Sequence, residues 1–241
     1  MIKKQKAYKL LALQEGISNK AAKEMIDRGI VYIGNKRVVI ARGEVDIKTK
    51  FKVQNIQKIE KIFEDSDIIA INKPAFLSSE EVSKKIGYPL LNRLDKETSG
   101  VLLLVKDEDF QKRAIKEYKE KKVLKEYIAW VDGRVIESVE IDKPILTIKR
   151  KKAYSKISRD GKDAISFVEP LMIEGNKSKV KVTIKTGRTH QVRVHLKSIA
   201  HPILGDTFYG GKPYKRVMLH SYKTELLGYS FVAKEPEDFM I

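Results

Sequence analysis

The sequence predicts an α+β fold, and two features carry that prediction. Short apolar runs spread along most of the chain, at residues 67–72, 101–105, 123–133 and 180–184, have the length and patterning of β-strands. Helical stretches interrupt these runs irregularly, without the strict strand–helix alternation of a parallel α/β sheet. A third feature divides the chain. Residues 3–53 hold thirteen Lys or Arg against five Asp or Glu, so nearly half of the net charge of +17 lies in about a fifth of the 241 residues.

The composition narrows the function. Apolar residues at 42% suit a globular protein, and the strong positive balance attracts polyanions, of which nucleic acid is the commonest. A membrane-surface role would call for a long basic amphipathic helix with Trp or Phe on its apolar face, and no stretch reads that way. Cysteine is absent, which excludes disulfides and thiolate chemistry. The first residues, MIKKQKAYK, lack the apolar core of a signal peptide, and no apolar run approaches membrane-spanning length, so a cytoplasmic location is expected. The four histidines form neither an H-x-x-x-H nor an H-E-x-x-H pair, and no P-loop or dinucleotide fingerprint occurs. Neither a metal nor a nucleotide cofactor is therefore expected.

In the basic segment, Ala7, Leu10 and Leu11 give a first helix its apolar face. Ser18 caps a second, with Ala21, Ala22, Met25 and Ile26 at core spacing and Gly29 as its stop. Residues 31–33 and 36–39 around a Gly34-Asn35 turn read as a hairpin. The polar stretch 54–61 is a linker, so domains of 1–53 and 54–241 are expected.

The larger domain opens with a buried strand over 67–72, ended by Lys73-Pro74. Residues 75–92 read as a loop. The segment R-L-D-K-E-T-S-G, residues 93–100, then forms a dense polar turn at the mouth of the apolar strand 101–105. Functional residues gather at such loops on a rigid scaffold. Taken alone, Asp95 is equally readable as the aspartate of an Asx-turn.

Asp107 caps a helix with Phe110, Ala114 and Tyr118 on one face. The next strand, 123–133, places Lys125, Tyr127, Ala129 and Val131 on one face and Leu124, Ile128 and Trp130 on the other. The basic run 149–156 lacks periodicity and reads as an exposed loop. A Gly175-Asn176 turn and a strand through Val180, Val182 and Ile184 follow. T-G-R-T-H-Q-V-R-V-H-L, residues 186–196, sets Arg188 at a strand-to-helix corner. Leu204 lies in the apolar turn of A-H-P-I-L-G-D-T-F-Y-G, residues 200–210.

Three of these motifs, R-L-D-x-x-T-S-G, K-x-Y-x-A-x-V-x-G and G-R-T-H-Q-V-R-V-H-L, resemble those of the RluA/RluC/RluD-type pseudouridine synthases. The resemblance implies a mixed, mostly antiparallel central sheet flanked by helices. It also implies isomerisation of uridine in structured RNA, without a cofactor. Asp95 would be the nucleophile, Tyr127 a wall against the uracil, and Arg188 the partner of Asp95. Arg93 would fill the stack vacated by a flipped base, Leu204 would adjoin the base, and Lys73 would belong to the RNA-facing set. Two departures stand out: the stretch before Arg93 is shorter than is usual in the family, and Asn92 stands where His is common. Residues 17–26, 28–36 and 43–45 resemble an S-four-type RNA-binding domain, by which Lys20, Lys23, Arg28, Lys36 and Arg37 would face phosphates. Ribosomal RNA is the favoured substrate and transfer RNA the alternative, a non-catalytic RNA-binding or ribosome-assembly factor is the competing reading, and a monomer is expected.

Overall fold

The computed structural model describes residues 3–34, 36–149 and 153–241. The chain divides into two compact units, Met1–Gln57 and Lys58–Ile241. The smaller contains β1 (Lys4–Lys6), α1 (Ala7–Glu15), α2 (Asn19–Arg28), β2 (Val31–Ile33), β3 (Lys36–Arg37), β4 (Glu44–Asp46) and β5 (Lys52–Val53). The start of α2 is fixed by Ser18, whose hydroxyl accepts the Ala21 N–H, and its end by Gly29 in a left-handed conformation. Ala7, Leu11, Ala12, Ala22 and Ile26 are buried between these helices and the short ladders. β2 pairs with β3 and β5, and β1 with β4. Asn35, the second residue of the expected turn, lies outside the described residues.

The larger unit carries β6 (Glu60–Glu64), β7 (Ile68–Lys73), α3 (Ser79–Ile86), β8 (Ser99–Val105), α4 (Glu108–Lys119) and β9 (Leu124–Asp132). After these come β10 (Val139–Asp142), β11 (Ile145–Ile148), β12 (Tyr154–Ile157), β13 (Ile165–Glu174), β14 (Lys177–Ile184), α5 (Gln191–Ser198), β15 (Leu219–Leu226) and β16 (Tyr229–Val232). Nine strands among the described residues form one sheet in the order β10-β13-β14-β9-β15-β8-β7-β6, with β16 beside β15. The pairings are antiparallel except β15 with β8, which is parallel. The fold is thus α+β with a mixed, mostly antiparallel sheet.

Burial on both faces explains the unbroken apolar run of β8. One face packs Val101, Leu103 and Val105 with Phe110 and Ala114 of α4; the other packs Leu102 and Leu104 with Val82 of α3. The Asp107 carboxylate caps α4 by accepting the Phe110 N–H. A third cluster joins β9, β14 and β15 to Val192 and Leu196 of α5. Tyr127 packs against this cluster and against the α3 side of β8.

Two expectations are corrected. Residues 75–92 are not all loop, because α3 lies within them. Its capping box pairs the Ser78 hydroxyl with the Glu81 N–H and the Glu81 carboxylate with the Ser78 N–H. The expected basic loop ends early as well. β12 pairs with β11, so Tyr154, Ser155 and Lys156 are strand residues, while residues 150–152 lie outside the described residues.

Gly100, Ser221 and Tyr127 form one row across β8, β15 and β9. Gly100 has a φ of +114°, and a Cβ there would lie 2.1 Å from the Ser221 carbonyl oxygen. Only glycine allows β15 to approach this closely. Gly100→Ala is expected to cost about 3 kcal/mol or more, from backbone clash and strain together. Urea denaturation measures it, and a stability equal to that of the parent would show that the row can spread.

Candidate active site

Asp95 follows the buried Leu94 in the turn that enters β8, and both flanking residues are clamped through their backbones. The Ser79 hydroxyl, at the start of α3, accepts the Leu94 N–H at 2.9 Å and donates to the Leu94 carbonyl at 3.0 Å. On the other side, the Lys96 carbonyl accepts the Phe76 N–H at 2.7 Å. The turn closes on itself as the Thr98 N–H donates to the Asp95 carbonyl at 3.0 Å. Asn92 is tied to β8, its side-chain oxygen accepting the Leu103 N–H at 2.8 Å. The carboxylate is thereby fixed in place while its side chain stays 31% exposed.

The cation that meets Asp95 is Arg193, and this corrects the expected pairing with Arg188. Arg193 Nη1 donates to Asp95 Oδ2 at 2.9 Å. Its other two nitrogens grip the buried Asp206, Nε to Oδ2 at 2.7 Å and Nη2 to Oδ1 at 2.8 Å. The Tyr209 ring lies 4.9 Å from the guanidinium carbon. The two carboxylates outweigh burial and hold Arg193 firmly charged. Arg188 lies elsewhere, its Nε donating to the Asp163 carbonyl at 2.9 Å. The physical reason is the helix. Arg188 precedes α5, whereas Arg193 is in its first turn, on a stretch where Gln191 through Leu196 are all buried.

Tyr127 is half-buried in mid-sheet, and its phenol is hydrogen-bonded to Ser221. Burial, assisted by the Asp95 charge, pushes its pKa up to about 12, so the hydroxyl stays neutral. His190, at the entrance to α5, brings Nε2 to 3.6 Å from Asp95 Oδ1.

Lys73 corrects another expectation, since it does not face outward. It is fully buried, and Nζ donates to the carbonyls of Pro74, Leu77 and Lys96 at 2.9, 2.8 and 3.4 Å. Burial brings its pKa down to about 7 against the pull of Asp95. Leu204 is also buried, in the core beside β9. Arg93 is 75% exposed and pairs with Glu80 at 2.8 Å. In the small unit, Lys20 and Lys36 are exposed, while Lys23, Arg28 and Arg37 are half-buried. Lys23 lies over the Tyr8 ring and Arg37 over Tyr32.

Residue reasoning missed Arg193, Asp206 and His190. A signal for the first was present: an arginine between Val192 and Val194 on a helix buried for six residues needs anions. Asp206 lay in the next motif.

Behind the turn, the Ser99 hydroxyl accepts from Arg216 Nη2 at 3.3 Å and donates to His220 Nδ1 at 2.9 Å, while His220 Nε2 donates to the Ala233 carbonyl at 3.1 Å. Among the described residues no group of three or more His, Cys, Asp or Glu could hold a metal ion, and no helix is long and apolar enough to cross a membrane.

A rigidly held carboxylate and a buried arginine thus meet in a mixed sheet that also carries Tyr127, and comparison with known proteins gives the class. Residues 71–198 match the family model for RNA pseudouridylate synthase. An uncharacterized RNA pseudouridine synthase of Helicobacter pylori strain J99 is 52% identical over 241 residues, covering 98% of this chain and 100% of that protein. Ribosomal large subunit pseudouridine synthase D of Pasteurella multocida strain Pm70 is 30% identical over 207 residues, 78% of this chain and 63% of that protein. Human RNA pseudouridylate synthase domain containing 1 shares the fold, with a TM-score of 0.65 at 23% identity over 76% of this chain and 85% of its own. The chain belongs to the RNA pseudouridine synthases of the RluA type. It is an isomerase.

Two predictions follow from this geometry. Arg193→Met orphans a buried carboxylate and is expected to lower the unfolding free energy by about 3–5 kcal/mol. Arg188→Met is expected to lower it by less than about 1 kcal/mol. Equal losses in urea would show that Arg188 shares the ion-pair network. The second prediction concerns pH. Burial brings the His220 pKa down to about 4 from an ordinary 6.5. Between those values the unfolded chain binds the extra proton, so this contribution is complete above pH 6.5 and is lost as pH falls through 4. The loss amounts to about 3 kcal/mol. Denaturation at stepped pH should show this slope in the parent and a shallower one in His220→Gln.

Proposed function

We propose that this enzyme isomerises particular uridines of structured RNA, ribosomal RNA foremost, with Asp95 as the nucleophile acting on a flipped-out nucleotide. The observation that carries the reading is the Asp95–Arg193 pair: a carboxylate kept beside a buried cation, fixed by its neighbours, yet still open to solvent. The reaction breaks the bond from C1′ to N1, turns the uracil and joins C1′ to C5. C5 gives up a proton and N1 gains one. Nothing is oxidised or added, so an ionised carboxylate at the sugar–base junction and a pocket that holds the detached base suffice.

The other residues fit parts of that reaction. The neutral Tyr127 ring gives the base an apolar wall. Leaving the stack costs about a few kcal/mol. Arg93 stands exposed two residues from Asp95, and its surface pair with Glu80, worth roughly 0–1 kcal/mol, releases it cheaply to fill the vacated space. Leu204 would back the base from the core side. Arg188, at its separate corner, would serve the RNA and not the carboxylate.

The small basic unit is read as an S-four-type RNA-binding domain, with Lys20, Lys23, Arg28, Lys36 and Arg37 as phosphate contacts that position the enzyme. Ribosomal RNA is favoured by that module and by the relative named as a ribosomal large subunit synthase. A monomer working in the cytoplasm completes the reading.

Asp95→Asn is expected to abolish pseudouridine formation while RNA affinity and stability stay near those of the parent. Chemical mapping of pseudouridine in total RNA, with and without the gene, identifies the sites lost. A fully active Asp95→Asn enzyme, or an unchanged map together with an inert purified protein, would refute the proposal.

A further inference from the structure

His190 has not been given a task, yet three independent features converge on it. Its backbone is left-handed, with φ 57° and ψ 23°, at the position that caps α5, and its side chain makes no capping bond. A non-glycine residue in that region is strained, and such residues gather at functional sites. The conformation turns the imidazole away from the helix and toward Asp95. There the ring is held between neighbours, with the rings of Tyr209 and Phe208 edge-on at centroid distances of 5.5 and 6.3 Å.

The second feature is the proton arrangement. The Tyr209 hydroxyl is buried and accepts the Ser155 N–H at 2.9 Å. It also lies 2.7 Å from His190 Nδ1. Burial pushes the Tyr209 pKa up, so the phenol keeps its proton. If Nδ1 donated to the phenol, the phenol's own proton would be left without an acceptor in a buried place. Both groups are satisfied only when Tyr209 donates to Nδ1. Burial, opposed by Asp95, keeps the imidazole pKa below its ordinary value, so the ring is neutral and carries its one proton on Nε2.

The third feature is what Nε2 faces. It lies 3.6 Å from Asp95 Oδ1, too far for a hydrogen bond, while Oδ2 already accepts from Arg193. Contacts of this kind commonly tighten when substrate binds. We propose that His190 is a positioning residue for Asp95: Tyr209 locks it in the Nε2–H tautomer, and it supplies the donor to Oδ1 once RNA closes the site. The carboxylate is then held at both oxygens, by a cation on one and a neutral N–H on the other, which fixes its rotation about the Cβ–Cγ bond. The inference rests on the reading of Asp95 as the reacting group.

The test has a part that needs no activity. Nitrogen-15 spectra of histidine-labelled full-length protein at neutral pH should show His190 as the Nε2–H tautomer, and Tyr209→Phe should shift it toward a mixture. The kinetic part uses single-turnover conversion of RNA from cells lacking the gene. His190→Ala should slow conversion roughly 10- to 100-fold, as a misplaced reacting group does, with RNA affinity unchanged. His190→Gln, whose amide nitrogen reaches the same place, should recover most of the rate, which a merely structural histidine would not predict. An Nδ1–H tautomer in the parent, or a His190→Ala enzyme as fast as the parent, overturns the proposal. An active Asp95→Asn enzyme would instead remove the role assigned to Asp95, and the tautomer would still be read independently.

Discussion

The site depends on one buried guanidinium. Removing an arginine from water is costly unless its donors are met, and Arg193 meets this condition by spending two nitrogens on Asp206 and one on Asp95. The fork to Asp206 is bidentate and fully buried, so the plane of the guanidinium is set before Asp95 arrives. The remaining nitrogen can point in one direction only. Such a pair is weak evidence for stability, since a well-packed apolar replacement would serve the core as well. Its value lies in geometry. The position of the Asp95 carboxylate is dictated by a cation that is itself held at two other nitrogens.

The sheet brings the rest to that cation. Asp95, Tyr127 and Arg193 lie on three distant segments, and the parallel step between β15 and β8 is what gathers them. β15 inserts between β8, which carries the Asp95 turn, and β9, which carries Tyr127. Ser221 of β15 then touches both neighbours within one row. Gly100 permits this by leaving its place to the Ser221 carbonyl. Behind the row, Arg216, Ser99 and His220 form a second hydrogen-bonded layer without exposed members. Polar groups so enclosed make that layer stiff, because any shift leaves one of them unpaired.

How much of this was legible depended on whether a residue's role is local. Ser18 before α2, Asp107 before α4 and the alternation of β9 act through neighbours three residues away or fewer, and the sequence shows them directly. The same physics marks the start of α3, whose Ser78 and Glu81 have capping-box spacing. The two arginines of one motif show the opposite case. Both stand in G-R-T-H-Q-V-R, and spacing along the chain cannot say which faces a carboxylate more than ninety residues earlier. Only the turn of α5 decides that. Lys73 was misplaced for a related reason. A lysine before proline suggests a surface turn, whereas here three carbonyls converge to accept its ammonium inside.

Asn92 and α3 bear on where substrate choice can reside. Asn92 faces inward, its side-chain oxygen taking the Leu103 N–H, so its side chain serves the scaffold. α3 likewise uses Val82 to fill the core and Ser79 to grip Leu94. These contacts fix Asp95 and leave little freedom for variation. What the same stretch presents outward is different: Arg93, Glu80, Lys84 and Lys85 are all exposed, and none of them is needed to hold the turn. A change among these residues alters the outward surface of the stretch without moving the carboxylate. Within twenty residues the stretch thus separates inward side chains that hold the turn from outward side chains that leave it unconstrained.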